Sequence, residues 1–355
     1  MITPAAMLST MVPHEPLSRR AALLGGAALL AGCTIEMTGE MTRRGPAVMQ
    51  AAAEDAAFVM RDGARLPYRA WLPEGAETAV VLALHGFNDS RDAWELPAPV
   101  FSAAGIAVYA PDQRGFGAAP GRGLWAGGDA MVDDAADMVT ALRARHPGRR
   151  LFLMGESMGG AVLMRLATRQ GAPEVDGYIL LAPAVWGRAK MNLVMQGALW
   201  LAATLVPGME VASRPPPGVT ITPTDNVEAL RRLSSNPLTV KSTRFDTLRG
   251  LVDLMDDALA AAPDFRARAL FLYGVKDDLV PAAATRTIWR AMGEGPRRVL
   301  YPQGYHLLMR DLGRAGPIGD AIAWIRDPDG ALPSHNWGIR SGLSPQAASR
   351  GALHV

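Results

Sequence analysis

Cysteine is all but missing from this chain of 355 residues: Cys33 is the only one. No disulfide can close within a single molecule, so the fold has to be held by its core. A strong charge bias is missing as well. The formal net charge is +2, and Lys and Arg are scattered instead of forming a stripe, which argues against a nucleic-acid partner. The leader-like apolar run 21–31 is too short to cross a bilayer, which takes about 20 apolar residues in a helix. Neither H-E-x-x-H nor a phosphate-cradling glycine loop is found, so no metal and no cofactor is expected.

Apolar residues, by contrast, are plentiful. Hydrophobic residues make up 49% of the chain and charged residues 20%, enough for a sizeable core. After both ends are trimmed, the length suits one large α/β domain with an inserted subdomain and leaves no room for a second independent domain.

The first 32 residues read as an export signal. Arg19 and Arg20 precede the run 21–31, which has the size of a signal peptide's hydrophobic region. The run ends in L-A-G-C at 30–33, which resembles the lipobox of bacterial lipoproteins. That resemblance implies acylation of Cys33 and an anchor in a membrane. No required protein partner is expected. The paired arginines also resemble a twin-arginine signal, less closely because Ala22 stands where a bulky apolar residue is usual. A plain signal peptide with an incidental cysteine is the alternative. Thr34 after the cysteine resembles the pattern of lipoproteins passed to an outer membrane, which in a Gram-negative host implies its periplasmic face. Residues 33–53, polar and rich in Gly and Met, form the expected tether.

From residue 54 to 326 the chain alternates short apolar runs with helical patterns. Residues 58–60 and 66–72 flank Asp62-Gly63 and predict a hairpin at the antiparallel edge of a sheet. Apolar runs at 79–84, 106–110, 151–154, 178–181 and 269–273 predict buried strands, and 297–301 reads as a further strand. Between two of these, Met131, Val132, Ala135, Met138, Val139 and Leu142 share one face of a helix over 131–146. Strands alternating with helices imply a mostly parallel central sheet with helices on both faces. One excursion, about 184–263, shows no clear buried strand and is too long for a structureless loop, so it is expected to be a helical cap. Its stretch 191–205, with Met191, Leu193, Met195, Leu199, Trp200 and Leu201, reads either as a buried helix or as a greasy lid over a lipid-binding cleft. Residues 327–355, without periodicity, are expected to form a flexible tail.

The chemistry centres on G-E-S-M-G at 155–159, which fits G-x-S-x-G between the strand 151–154 and a helix over 161–168. Ser157 would sit on a tight strand-to-helix turn that pushes its hydroxyl outward. A serine hydroxyl is a poor nucleophile at neutral pH and needs a base, for which imidazole has the right pKa. His14 lies in the leader, His335 and His354 in the tail, and His146 at an exposed helix end, which leaves His85 and His306. The chain order serine, acid, histidine selects His306, on the loop after the last strand. The acid should lie between them at a strand's end, and Asp277 and Asp278 both follow Gly274 there. In this layout the oxyanion donors are the backbone N–H groups of Met158 and Phe87, and His85 holds the loop in shape.

These motifs, H-G-F at 85–87, D-Q-R-G-F-G at 112–117, G-E-S-M-G-G at 155–160, G-V-K-D at 274–277 and G-Y-H at 304–306, together resemble the α/β-hydrolases of the monoacylglycerol lipase and lysophospholipase family, related to serine aminopeptidases of similar fold. The resemblance covers roughly residues 58–325. It favours Asp277 over Asp278 as the acid and implies a serine esterase acting on monoacylglycerol-like or lysophospholipid-like esters through an acyl-enzyme. One departure is the oxyanion loop, which has Asn88-Asp89-Ser90 where the lipases commonly carry a second glycine and an acidic-His continuation. Two other readings use the same residues differently: amide or peptide hydrolysis at the same triad, and a catalytically silent envelope lipoprotein that keeps the fold as a binding surface.

Overall fold

The computed structural model describes residues 47–50, 56–188, 191–212 and 221–334. The expected leader 1–32, Cys33, the first part of the tether and residues 335–355 lie outside them. A nine-stranded sheet forms the centre. Its first three strands, β1 (Val48–Gln50), β2 (Ala57–Val59) and β3 (Arg65–Trp71), run antiparallel. Then follow β4 (Ala79–Leu84), helix α1 (Ala98–Ala103), β5 (Ile106–Pro111), α2 (Gly128–Arg145), β6 (Arg150–Glu156), α3 (Met158–Thr168) and β7 (Gly177–Leu181). The excursion contains α4 (Leu193–Leu205), β8 (Glu210–Ala212), α5 (Val227–Ser235), β9 (Ser242–Arg244) and α6 (Phe245–Ala261). The chain returns through β10 (Ala269–Gly274), α7 (Ala282–Ala291), β11 (Arg297–Tyr301) and α8 (Ala315–Arg326). The strand order is β1-β2-β3-β5-β4-β6-β7-β10-β11, parallel from β5 onward.

The apolar runs become central strands because both of their faces find cover. Along β4, Val80, Leu82 and Leu84 join the core under α2, α3 and α6, while Ala79, Val81 and Ala83 join the core under α1 and α8. Strand β6 divides the same way, Leu151 and Leu153 to one side and Phe152 and Met154 to the other, as a side-chain period of two requires. The six apolar residues predicted for one face of α2 are all buried. That face also buries Asp134 and Asp137, each paired with an arginine, Arg114 and Arg61, which offsets their desolvation.

Two expected boundaries need correction. The tether does not run to residue 53, because Val48–Gln50 pairs with β2 and extends the sheet. The flexible tail does not begin at 327 either. Leu332 is fully buried, Ser334 N–H donates to Asp320 at 2.9 Å, and Arg297 donates to the Gly330 carbonyl. A single apolar anchor fastens that segment, and one side chain makes no periodic pattern.

The excursion does build a mostly helical cap, with a small antiparallel ribbon, β8 against β9, that the sequence did not suggest. Helix α4 begins at Asn192, whose side chain accepts from Met195 N–H at 2.8 Å. Only Leu199 and Ala203 of this helix are buried; Leu193 is 83% exposed and Trp200 60%. The buried-helix reading therefore fails, since the domain offers only one narrow face for this mostly apolar helix to pack on. Among the described residues no helix is long and apolar enough to cross a membrane. Arg122 ties the cap down by donating to the carbonyls of Pro237, Leu238 and Thr239 at 2.7, 3.0 and 3.0 Å. Val240 N–H adds a bond to the Asn88 carbonyl at 2.9 Å.

Because these Arg122 bonds are solvent-exposed, their loss should cost only about 1 kcal/mol. Arg122→Ala is expected to lower Tm by about 2–4 °C in a domain of this size and to speed proteolytic cutting near residues 237–239. An unchanged melting curve together with an unchanged digestion pattern would rule this fastening out.

Candidate active site

Parallel strands all point their carboxyl ends to one edge, so the loops that follow them meet there. Among the described residues, the non-glycine positions with positive φ are Asn88, Ser157 and Ala182, at 61°, 52° and 40°. They follow β4, β6 and β7, which are neighbours in the sheet. Each such residue costs about 1–3 kcal/mol and persists only where its surroundings enforce it.

At Ser157 the enforcement is visible. Its N–H donates to the Leu181 carbonyl at 2.9 Å, and its own carbonyl accepts from Ala161 and Ala184 at 3.1 and 2.9 Å. The turn is tight enough that a side chain at Gly155 would run into the backbone of Gly159 and Gly160, and one at Gly159 into the Leu84 carbonyl. Half-buried Ser157 caps α3 without using its hydroxyl for the cap.

His306 and Asp277 meet as expected, Nδ1 to Oδ2 at 2.8 Å, both buried. The other Asp277 oxygen accepts from the N–H groups of Leu279 and Val280, each at 2.8 Å, so the carboxylate cannot rotate. The flanks of His306 are fixed as well: Tyr305 N–H donates to Asp311 and Leu307 N–H to the Pro223 carbonyl, both at 2.8 Å. A carboxylate oxygen accepts, so the imidazole donates through Nδ1 and keeps Nε2 as its acceptor. Burial pulls the His306 pKa down, but the charge and hydrogen bond of Asp277, with help from Glu156, outweigh it and leave the pKa above its ordinary value. Among the described residues, exposed Asp278 meets only Thr222 N–H, at 3.4 Å, so of the two aspartates it is Asp277 that reaches His306.

The Ser157 hydroxyl makes no hydrogen bond among the described residues, so the row is closed between Asp277 and His306 and open between His306 and Ser157. The candidate oxyanion donors sit beside it. A Cβ on Gly86 would lie 3.4 Å from Ser157 Cβ, which puts the loop carrying Phe87 against the elbow. Phe87 N–H has no protein acceptor among the described residues, and Met158 N–H opens α3, where helix geometry provides none. His85 braces this loop: Nδ1 donates to the Gly86 carbonyl at 2.7 Å and Nε2 accepts from Gln113 N–H at 3.0 Å. His146 is half-buried between Glu77 and Tyr109, at 2.8 and 2.9 Å, a tied position instead of the exposed helix end expected.

Sequence reasoning missed a buried cluster under the site. Arg310 donates to Asp89 at 2.7 Å and to Glu156, the residue before Ser157. The only available signal was a Glu at the variable position before the serine and an Arg shortly after His306. Among the described residues no group of three or more His, Cys, Asp or Glu could hold a metal ion. A half-buried serine on a strained turn, an imidazole–carboxylate pair and two unengaged N–H groups, one at a helix start and one on the loop beside it, are the parts that acyl transfer requires.

Comparison with known proteins agrees with this reading of the fold. A monoacylglycerol lipase of Mycolicibacterium smegmatis is 26% identical over 276 residues, 74% of this chain and 93% of that protein. Among solved structures, a soluble variant of the Saccharomyces cerevisiae monoglyceride lipase in complex with a substrate analogue superposes with a TM-score of 0.64 at 20% identity, covering 83% of this chain and 99% of the other. The monoacylglycerol lipase of Paleococcus ferrophilus gives 0.60 at 21% identity, covering 73% and 98%. At these identities the superpositions speak for the α/β-hydrolase fold alone. The family model described as Hydrolase_4, serine aminopeptidase S33, matches residues 75–313, from the start of the parallel strands to just past the His306 loop, and the chain belongs to that family.

Proposed function

We propose that the protein is a serine esterase that cleaves monoacylglycerol-like or lysophospholipid-like esters, with Ser157 as nucleophile, His306 as base and Asp277 as its orienting acid. The observation that carries this reading is the buried Asp277–His306 pair at the same sheet edge as the strained Ser157 elbow. Ser157 Oγ attacks the ester carbonyl while its proton passes to His306 Nε2. The carbonyl oxygen becomes an oxyanion held by the N–H groups of Phe87 and Met158. Collapse breaks the bond to the alcohol, which leaves with the proton from His306, and the acyl group stays on Ser157. Water then repeats the sequence, giving up a proton to His306, and the fatty acid is released with Ser157 restored. The mechanism needs the Ser157 hydroxyl on Nε2 once substrate is bound; such bonds are commonly long in its absence.

The lipid character of the substrate is supported by the apolar helix α4, which exposes Leu193, Val194, Trp200, Leu201 and Leu205. The name of the matching family favours amide hydrolysis as a second reading. An aminopeptidase has to receive a substrate ammonium, yet two acids on the segments that form the elbow and the oxyanion turn, Glu156 and Asp89, are both taken by Arg310. Ester hydrolysis is the better fit. We further propose export to the bacterial envelope and a lipid anchor on Cys33, on the strength of L-A-G-C at 30–33.

Purified protein is expected to hydrolyse a p-nitrophenyl ester and monoacylglycerol, to leave aminoacyl-nitroanilides nearly untouched, and to be labelled by a fluorophosphonate on Ser157. Activity surviving in Ser157→Ala would sink the mechanism, and absence of labelling in folded protein would favour a silent binding lipoprotein. The acid limb of kcat/KM should fall above the ordinary histidine pKa of about 6.5, because His306 must be neutral to accept a proton and its pKa is raised. In Asp277→Asn, burial is opposed only by the charge of Glu156, so the limb should move to lower pH while kcat drops about 10³–10⁴-fold. A limb that stays in place would remove Asp277 from its role. For the anchor, Cys33→Ala is expected to shift the protein from the membrane fraction to the soluble one in cells; unchanged partitioning would refute lipidation.

A further inference from the structure

Arg310 is a buried cation with no step in the reaction. Its side chain is almost fully enclosed, with Nη1 donating to Asp89 Oδ2 at 2.7 Å and Nη2 donating to Glu156 Oε1. Burying three charged groups is a poor way to gain stability, since a well-packed apolar replacement of such a cluster is often neutral or better. The cluster is also incompletely satisfied, because Arg310 Nε is buried without an acceptor among the described residues. Stability alone does not account for it.

Its connections suggest what does. Asp89 lies two residues after Phe87, and its own carboxylate accepts from Ser90 N–H at 2.8 Å while its N–H donates to the Gly86 carbonyl at 3.3 Å, so it shapes the turn that presents the Phe87 N–H. Glu156 is the last residue of β6 and immediately precedes Ser157. Arg310 itself sits in the loop of His306, where its N–H donates to the Leu307 carbonyl at 2.7 Å and its carbonyl accepts from Asn226 of the cap at 2.9 Å. A guanidinium is a flat fork with a fixed distance between its two donors, and it can hold two carboxylates in one plane, which an ammonium cannot.

We propose that Arg310 is a positioning residue that fixes the spacing of the oxyanion turn, the nucleophile elbow and the base loop by clamping Asp89 and Glu156 in one plane. The inference rests on the esterase reading and names what aligns its parts. Misplacing a reacting group by about 1 Å can cost on the order of 100-fold in rate, so the clamp acts on kcat more than on KM.

The test compares wild type, Arg310→Lys, Arg310→Met and the triple variant Asp89→Asn, Glu156→Gln, Arg310→Met. Kinetics with p-nitrophenyl butyrate are read beside Tm and the imidazole Nδ1 proton resonance of His306. Arg310→Met leaves two buried carboxylates unpaired and is expected to fold poorly; the triple variant removes all three charges at nearly constant shape and is expected to fold. Positioning predicts that the folded triple variant loses about 30- to 100-fold in kcat with KM changed less than about threefold, and that Arg310→Lys recovers part of the loss. A folded triple variant with wild-type kcat would overturn the proposal. If wild type neither turned over ester nor accepted a fluorophosphonate, the esterase reading would fail by itself. The clamp would still be judged by the His306 resonance: sharp in wild type and broadened by exchange in the triple variant supports it, sharp in both refutes it.

Discussion

The contact between Gly159, in the first turn of α3, and the Leu84 carbonyl at the end of β4 is the constraint on which the site depends. It lets a helix start directly on top of two neighbouring parallel strands, with no side chain to hold them apart. Only then can Ser157 take its positive φ, and only then does the Phe87 loop come against the elbow. The energy for that conformation comes from the sheet beneath, where strands covered on both faces leave no softer arrangement available. Three strands adjacent in the sheet, β4, β6 and β7, are each followed by such a strained residue, so the strain is concentrated where the chemistry would take place.

Much of this was legible from the residues. Doubly covered strands betray themselves as unbroken apolar runs, which is why β4, β5, β6, β7 and β10 could be placed from composition alone. The Ser157 turn announced itself through its glycines. Other features carry no local pattern. Arg310 reaches across 221 positions to Asp89 and 154 to Glu156, and nothing near any of the three reports the others. Adjacent aspartates at 277 and 278 differ only in which one faces the N–H groups of Leu279 and Val280, a matter of loop geometry. Helix α4 is apolar enough to be either buried or displayed, and composition does not say which; the answer depends on how much cover the rest of the domain can offer. The ribbon of β8 and β9 escaped because three-residue strands have almost no period to detect.

The electrostatics of the site follow a common rule: among the described residues, the buried charges have partners that also carry structure. Asp277 orients an imidazole, Asp112 receives Arg91 and the N–H of Ala118 and so shapes the loop after β5, and Arg114 bridges the first hairpin to α2 through Asp62 and Asp134. Low local polarity strengthens each of these pairs and makes each one costly to break. The loops at the sheet edge are thereby held more firmly than surface loops usually are.

The division of labour between sheet and cap has a consequence for exchange of parts. Serine, histidine and acid all hang from strands of the central sheet, while the excursion between β7 and β10 covers them from above. Its descending arm, however, is stitched to the base loop through Pro223, Asp225 and Asn226, whose partners are Leu307, Leu312 and Arg310. A chimaera that borrows a foreign roof could swap the segment containing α4 and change which molecules gain entry, provided it keeps these few stitches; a graft that replaced them too would unseat the imidazole along with the roof.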